Sequence, residues 1–461
     1  MIVSSIFFTL QIIFRFSNKV SLTLSILIIS FFFYGHFFNL INDFDFGTHI
    51  FHRYIIIPYL IIFLLPIFFI LISKKSLENV NKIFSSISVI LIIISCSNII
   101  INSNLSEFST NDFEKQDLFL NKKPDIYYII LDSYADNYTL QKHFKFDNSE
   151  FDKFLIEKGF QSSYPSYSNY PTTYLSLSSS LNLNYVNQLL DEDKNYFDVT
   201  SANRLIDKNY LMEILHSNNY FIINFDSGWG PTRNISSANM NLCSNNIDFI
   251  SEFMISIAET SFAKPFYAKL FLSDHSDRIH CVLSTLPIIA EDIEKPIFVF
   301  AHLLLPHPPY VFDKYGNPTN IDSLKLSSNY VQNEKTLYLE QLQYTTSEMK
   351  KIVQQLISDN VIIVIQSDHG PPDSIFSINN PNSSDKDKLR NINYYYLPNS
   401  EQIIYDGITP VNSFRKIFKN YFSNELENQL QSLITKNVIK NNLSDDEIKK
   451  ARDLLLKLGY I

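Results

Sequence analysis

Between residues 20 and 101 the chain carries three long apolar runs, 20–41, 54–73 and 83–101, each close to the ~20 residues that an α-helix needs to cross a bilayer core. They constrain the fold more than any other feature, because the competing reading, a set of core helices, would have to bury all three on every side. Phe and Ile crowd this region, and Asp, Glu and Lys become frequent only after about Asn102. A shorter run, 2–14, comes first. Arg15 and Lys19 follow it and no small-residue cleavage site does, so it reads as a retained span.

Lys and Arg favour cytoplasmic loops. Arg15 and Lys19 mark one such loop, and Lys74, Lys75 and Lys82 mark another two spans later. The connection between them carries Asp43, Asp45 and only Arg53. The alternation places everything after residue 101 outside the cytoplasm. Three parts follow: a membrane region 1–101, a polar linker 102–123 rich in Ser, Asn, Asp and Glu, and a soluble domain 124–461. A net charge of −9 leaves no basic footprint for nucleic acid, and that partner class is set aside. The three cysteines are too few for a disulfide scaffold. Cys96 reads as a small buried hydrophobe in its apolar run, while Cys243 and Cys281 either pair or remain buried thiols.

From Pro124 onward, β-branched and aromatic runs alternate with helical patterns, which predicts an α/β domain with a largely parallel sheet. Strands are expected at 126–131, 220–224, 296–302 and 361–366, with one more at 394–397. Helices are expected at 149–158, 203–217, 334–359 and, at the tail, 445–458. In such sheets ligands gather beyond the carboxyl ends of the strands.

Those ends are where the polar residues stand. IYYIIL runs into Asp132, VIIVIQS into Asp368, His369 and Gly370, and IFVFA into His302, followed by LLLPHPPY with His307. Two carboxylates and an imidazole suit a divalent ion such as zinc or manganese. Taken singly, Asp132 reads more readily as a turn or cap residue than as a ligand. Asp274 and His275 form a second SDH triplet, but a mixed run precedes it and no glycine follows, so a surface loop is expected there. The segment SNYPTTYLSLSSSLN, 168–182, reads as a turn into a helix, with Thr172 and Thr173 either capping it or offering a hydroxyl where an anion is welcome. FDSGWGPT, 225–232, holds the lone tryptophan, Trp229, and reads either as acceptor lining or as a glycine-punctuated loop; it stays outside the site set.

Together PDIYYIILD, SNYPTTYLSLSSSLN, SDHG and PHPPY resemble the alkaline-phosphatase and sulfatase superfamily. The closer likeness is to its membrane-bound sulfatase-like branch of phosphoethanolamine and phosphoglycerol transferases. The resemblance implies an α/β/α sandwich after transmembrane helices, in the bacterial cytoplasmic membrane with the catalytic domain outside. It further implies one divalent metal ion, zinc or manganese, on Asp132, Thr173, Asp368 and His369. It makes Thr173 the nucleophile, with Thr172 one residue away, and gives His307, then His302, the substrate's phosphate. The implied partners are a membrane lipid donor and an envelope glycan or lipid acceptor. Threonine stands where sulfatases convert cysteine or serine to an aldehyde, which argues against sulfate-ester chemistry. The Asp-x-x-x-His pair of two-metal members is missing after the linker, so a single ion is expected. A phosphoester hydrolase of the same fold is the competing reading, and an inactive receptor ranks behind both because the expected ligand positions are filled.

Overall fold

The computed structural model describes residues 17–43, 52–74, 76–104, 123–186, 199–244, 257–258, 260–290, 293–294, 296–319, 330–372, 385–398, 400 and 402–421. The run 2–14, most of the linker and the expected tail helix 445–458 lie outside them. The chain divides into two compact units, one formed by residues 1–109, 247–273 and 325–330 and the other by the remainder.

In the first unit, helices α1 (Ser17–Asp43), α2 (His52–Ile72) and α3 (Glu78–Asn104) follow one another. Among the described residues two helical stretches, Lys19–Ile41 and His52–Ile72, are long and apolar enough to cross a membrane. The third expected span, 83–101, lies within α3 and is not one of these two stretches. Cys96 is exposed on α3, not buried among protein side chains as its apolar run suggested. Lys19 Nζ donates to the carbonyl of Leu71 at 3.2 Å and to that of Ser73 at the end of α2, so α1 and α2 are antiparallel. Lys19 and Lys74 therefore share one end of the pair, as the charge pattern requires. Tyr34, Phe38, Ile55 and Tyr59 pack between the helices, with Phe262 against them.

The second unit is built on a seven-stranded sheet of order β2-β7-β6-β1-β5-β3-β4. Its strands are β1 (Asp125–Leu131), β2 (Phe160–Ser162), β3 (Phe221–Phe225), β4 (Met240–Leu242), β5 (Ile297–Leu303), β6 (Val361–Gln366) and β7 (Asn393–Tyr396). β6, β1, β5, β3 and β4 are parallel, and β7 pairs antiparallel with both β6 and β2. The central strands are apolar from end to end because both faces are covered. Ile126, Tyr128 and Ile130 share one core with Leu177, Leu215, Phe300 and Phe414, and the opposite-facing Tyr127, Ile129 and Leu131 are buried as well.

The sequence places one helix at 203–217, whereas the structure has two, Val199–Asp207 and Tyr210–Ser217. Asn209 takes an extended conformation and its side chain accepts the Met212 N–H at 2.9 Å, capping the second helix and interrupting what the apolar spacing joined. The SDH triplet is also placed differently. Asp274 and His275 sit within the helix Lys264–Thr285 and are buried, not in a surface loop, because Arg278 one turn on pairs with Asp274 at 2.7 Å. Cys243, just after β4, is bonded to Cys281 on that helix, which decides between the two readings of this pair. Closing a loop of 38 residues contributes about 4 kcal/mol on the chain-entropy account.

Candidate metal and phosphoester site

Three adjacent parallel strands, β6, β1 and β5, end at the same level and carry the polar residues there. Ile130 is in register with both His302 and Gln366, and the Asp132 N–H closes onto the Leu303 carbonyl at 3.0 Å. Asp132, His302 and Asp368 are buried, and one ligand atom from each lies within 4.8 Å of the others. His302 Nε2 stands 3.4 Å from Asp132 Oδ2. His369 closes the group, with Nε2 3.6 Å from Asp132 Oδ1 and 3.3 Å from Asp368 Oδ2. His369 Nδ1 donates to the Gly370 carbonyl at 2.7 Å, which turns Nε2 towards the carboxylates. Gly370 has no room for a side chain, since a Cβ there would strike the backbone carbonyls of Lys388 and Arg390.

The electrostatics are those of a site built around a positive charge. Burial opposes ionisation of Asp132, but His307, His302 and His369 together overcome it and hold this carboxyl well below the usual range. Asp368 moves the other way, because burial and then the neighbouring Asp132 both disfavour its charge. Asp368 Oδ2 and His302 Nε2 are buried without a hydrogen-bond partner among the described residues. A divalent cation would satisfy both orphaned atoms at once, and two carboxylates with imidazoles are a fitting donor set for zinc or manganese.

The helix α4 (Thr173–Leu181) brings the hydroxyl. Thr172 holds the extended conformation of a cap residue, yet its side chain caps nothing and its Oγ1 is buried without a hydrogen bond. Thr173 is the first helical residue, and its Oγ1 lies 3.2 Å from His369 Nε2. Ser176 Oγ donates to the Asp368 carbonyl at 2.6 Å and locks this helix onto the strand end. The Thr173 hydroxyl thus stands at a helix N-terminus, where partial positive charge collects, and at the rim of the carboxylate cluster.

A family model for sulfatases matches residues 124–398, more than half of the chain. The chain belongs to the sulfatase family. Its fold is that of the alkaline-phosphatase superfamily, and it is an enzyme of that superfamily. No curated protein sequence matches this sulfatase-family chain. Among solved structures, it is similar to the lipooligosaccharide phosphoethanolamine transferase A of Neisseria meningitidis, with 10% identity and a TM-score of 0.44. That match covers 76% of this chain and 64% of the transferase, less than two thirds of its length. The zinc-bound periplasmic domain of EptC from Escherichia coli has 12% identity and a TM-score of 0.42, over 66% of this chain and 84% of that one. The lipoteichoic acid synthase LtaP of Listeria monocytogenes has 11% identity and a TM-score of 0.40, over 68% and 76%.

Of the residues singled out in the sequence, the structure gathers Asp132, Asp368, His369, Thr173 and His302 into one group, with His302 among the metal-suited atoms and not only on the substrate side. His307 is half-buried, and it is one of the three imidazoles that keep Asp132 ionised. Two contacts were not foreseen. Thr232 Oγ1 lies 2.9 Å from His302 Nδ1, and the Trp229 ring stands edge-on to His302 at 5.7 Å. Both belong to FDSGWGPT, and the available signal was a glycine-rich loop leaving the carboxyl end of a buried strand.

The buried SDH histidine has a consequence for stability. Burial first, then Arg278 and His307, drive the His275 pKa down to about 3, with Asp274 opposing them. The unfolded chain takes up this proton at about 6.5, so His275 contributes stability that is full above about 6.5 and is lost as pH falls from there towards 3. The slope is about 1.4 kcal/mol per pH unit. The thermal midpoint of the detergent-purified chain is expected to drop steeply between pH 6.5 and 4, and His275→Gln to flatten that limb. An unchanged acid limb in the variant would contradict the assignment.

Proposed function

We propose that the chain transfers a phospho-headgroup from a membrane lipid donor to an envelope glycan or lipid through a phospho-threonine intermediate on Thr173. The reaction runs at the bacterial cytoplasmic membrane, with the domain 124–461 outside the cytoplasm. One observation carries the reading: the Thr173 hydroxyl sits at a helix N-terminus, 3.2 Å from His369 Nε2, beside the buried Asp132, His302 and Asp368 cluster. Membership of the sulfatase family supports the chemistry, and the apolar helices support a lipid donor, because an anchored enzyme meets lipid substrates at high effective concentration.

Asp132, Asp368, His369 and His302 would hold a single divalent ion, zinc or manganese, which supplies Lewis-acid charge at the phosphorus and lowers the pKa of the Thr173 hydroxyl. In the first half-reaction Thr173 Oγ attacks phosphorus. The new Oγ–P bond forms as the donor's ester P–O bond breaks, and the proton given up by the Thr173 hydroxyl ends on the departing lipid alcohol oxygen. In the second, an acceptor hydroxyl attacks the phospho-threonine, a new O–P bond forms as the Thr173 Oγ–P bond breaks, and the acceptor's proton restores the Thr173 hydroxyl. His307 stands on the substrate side, where it neutralises a non-bridging oxygen, and the positive end of α4 does the same for the oxygens facing Thr173. Thr232 and Gly370 hold the imidazoles in orientation.

The experiment compares envelope lipids and glycans by mass spectrometry in cells carrying the native gene, no gene, or Thr173→Ala. A phosphorylated substituent that appears only with the native protein is expected, and its mass identifies the headgroup. Identical profiles in all three, together with release of free phosphoester by the purified protein, would replace transfer with hydrolysis.

A further inference from the structure

The loop that carries Thr232 is held by buried charges that the proposed transfer does not use. Arg278 on the helix Lys264–Thr285 donates from Nη2 to Asp274 Oδ2 at 2.7 Å and places Nε 3.4 Å from Asp226 Oδ1 at the end of β3. Arg233 Nε lies 3.6 Å from the other oxygen of Asp226. Asp226, Asp274 and Arg278 are all buried. Gly228 lies against the guanidinium: a Cβ there would run into Arg278 Nη1, and its φ of +84° is a left-handed backbone suited to glycine. The Gly228 N–H donates to Asp226 Oδ1 at 2.7 Å, and the Trp229 N–H to Ser227 Oγ at 3.0 Å. Ser227 Oγ is 2.7 Å from Thr232 Oγ1, and Thr232 Oγ1 is 2.9 Å from His302 Nδ1.

The same support is closed from behind. The Asp226 N–H donates to the Leu242 carbonyl at 2.8 Å, and the next residue, Cys243, is bonded to Cys281, three residues beyond Arg278. Asp226 is therefore gripped through its main chain by β4 and through its side chain by Arg278, and the disulfide joins the two grips. A buried ion network of this kind adds little net stability compared with apolar packing. What it contributes is direction, since Thr232 and Trp229, which lie against the His302 ring, ride on the segment it fixes.

We infer that Arg278 is a positioning residue for the metal site, acting through the Asp226–Thr232 loop to aim His302 at Asp132 and Asp368. This rests on the reading of those three residues as cation ligands. Partners that orient a ligating histidine change metal affinity by about ten- to a hundredfold when removed.

The test uses the full-length protein in detergent, stripped with a chelator, and measures zinc affinity by competition with a fluorescent zinc chelator, with thermal melts alongside. Arg278→Met and Thr232→Val are each expected to weaken zinc binding about tenfold or more. The double variant is expected to be no weaker than the worse single, because both changes break one chain of contacts. Asp274→Asn, which frees the guanidinium without opening a cavity, keeps the question answerable if Arg278→Met does not fold, and it too should weaken binding. A folded Arg278→Met or Asp274→Asn with native zinc affinity, or a double variant equal to the product of the singles, overturns the inference and leaves the ligand assignment intact. A native protein that binds no zinc overturns both.

Discussion

Thr173→Ala is expected to lower turnover by about 10⁴-fold or more, which corresponds to roughly 5.5 kcal/mol or more of lost transition-state stabilisation. The magnitude follows from removing a covalent step, since the remaining charges can bind a phosphoester without giving it a nucleophile. Thr173→Ser keeps the oxygen and should retain most of the activity. The informative control is Thr172→Val. Its hydroxyl is buried without a hydrogen bond, so replacing it with an isosteric methyl should leave turnover within a few-fold of native. Intact-mass measurement of acid-quenched protein with donor lipid adds a second readout: a phosphorylated adduct on native protein and on Thr173→Ser, none on Thr173→Ala. Loss of the adduct in Thr172→Val with its survival in Thr173→Ala would move the nucleophile by one residue.

The parts of the fold that could be read in the sequence are those where one physical rule dominates. β6 was placed to the residue and β1 and β5 to within one at each end, because a strand covered on both faces is apolar along its whole length and needs no partner to be recognised. The ligand candidates followed, since ligands gather at the carboxyl ends of such strands. Where tertiary contacts decide, the sequence is silent. Nothing in 203–217 announces that Asn209 turns its side chain onto Met212 and splits the helix. Asp274 and His275 look like surface residues because charged residues usually are; the Arg278 guanidinium one turn away, which Asp226 also holds, compensates the buried Asp274. Thr232 was unreadable for the same reason. A threonine hydroxyl declares a role only when the fold brings His302, 70 residues away, to within 2.9 Å. His307 outranks His302 in the sequence only through the likeness of PHPPY to a proline-flanked substrate histidine; the fold sets His302 in β5 with Nε2 3.4 Å from Asp132 Oδ2, a closeness that no local pattern announces.

The two buried carboxylates should respond in opposite ways to neutralisation. Asp132 is held ionised by three imidazoles, so Asp132→Asn removes a satisfied charge, and the metal-free protein should become less stable. Asp368 is disfavoured in its charged form by burial and by Asp132, and its Oδ2 lacks a hydrogen bond, while Oδ1 accepts the Ser133 N–H at 3.1 Å. Asparagine at 368 preserves that acceptor and removes the repulsion. Metal-free Asp368→Asn is therefore expected to melt several degrees above the metal-free native protein, since about 1 kcal/mol shifts the midpoint of a domain this size by roughly 2–4 °C. Zinc reverses the order. At about a thousand times its dissociation constant, a ligand stabilises the native fold by about 4 kcal/mol, and Asp368→Asn, short of one ligand, should gain little of that. Thermal melts of native and variant protein, with chelator and with zinc, would cross. If Asp368→Asn is less stable without metal and is still stabilised by zinc as the native protein is, Asp368 is a structural carboxylate and the cation must be held by other groups. The crossing is the signature of a site whose strain in the empty protein is the source of its affinity, because the buried charge that destabilises the fold alone is the one the cation neutralises.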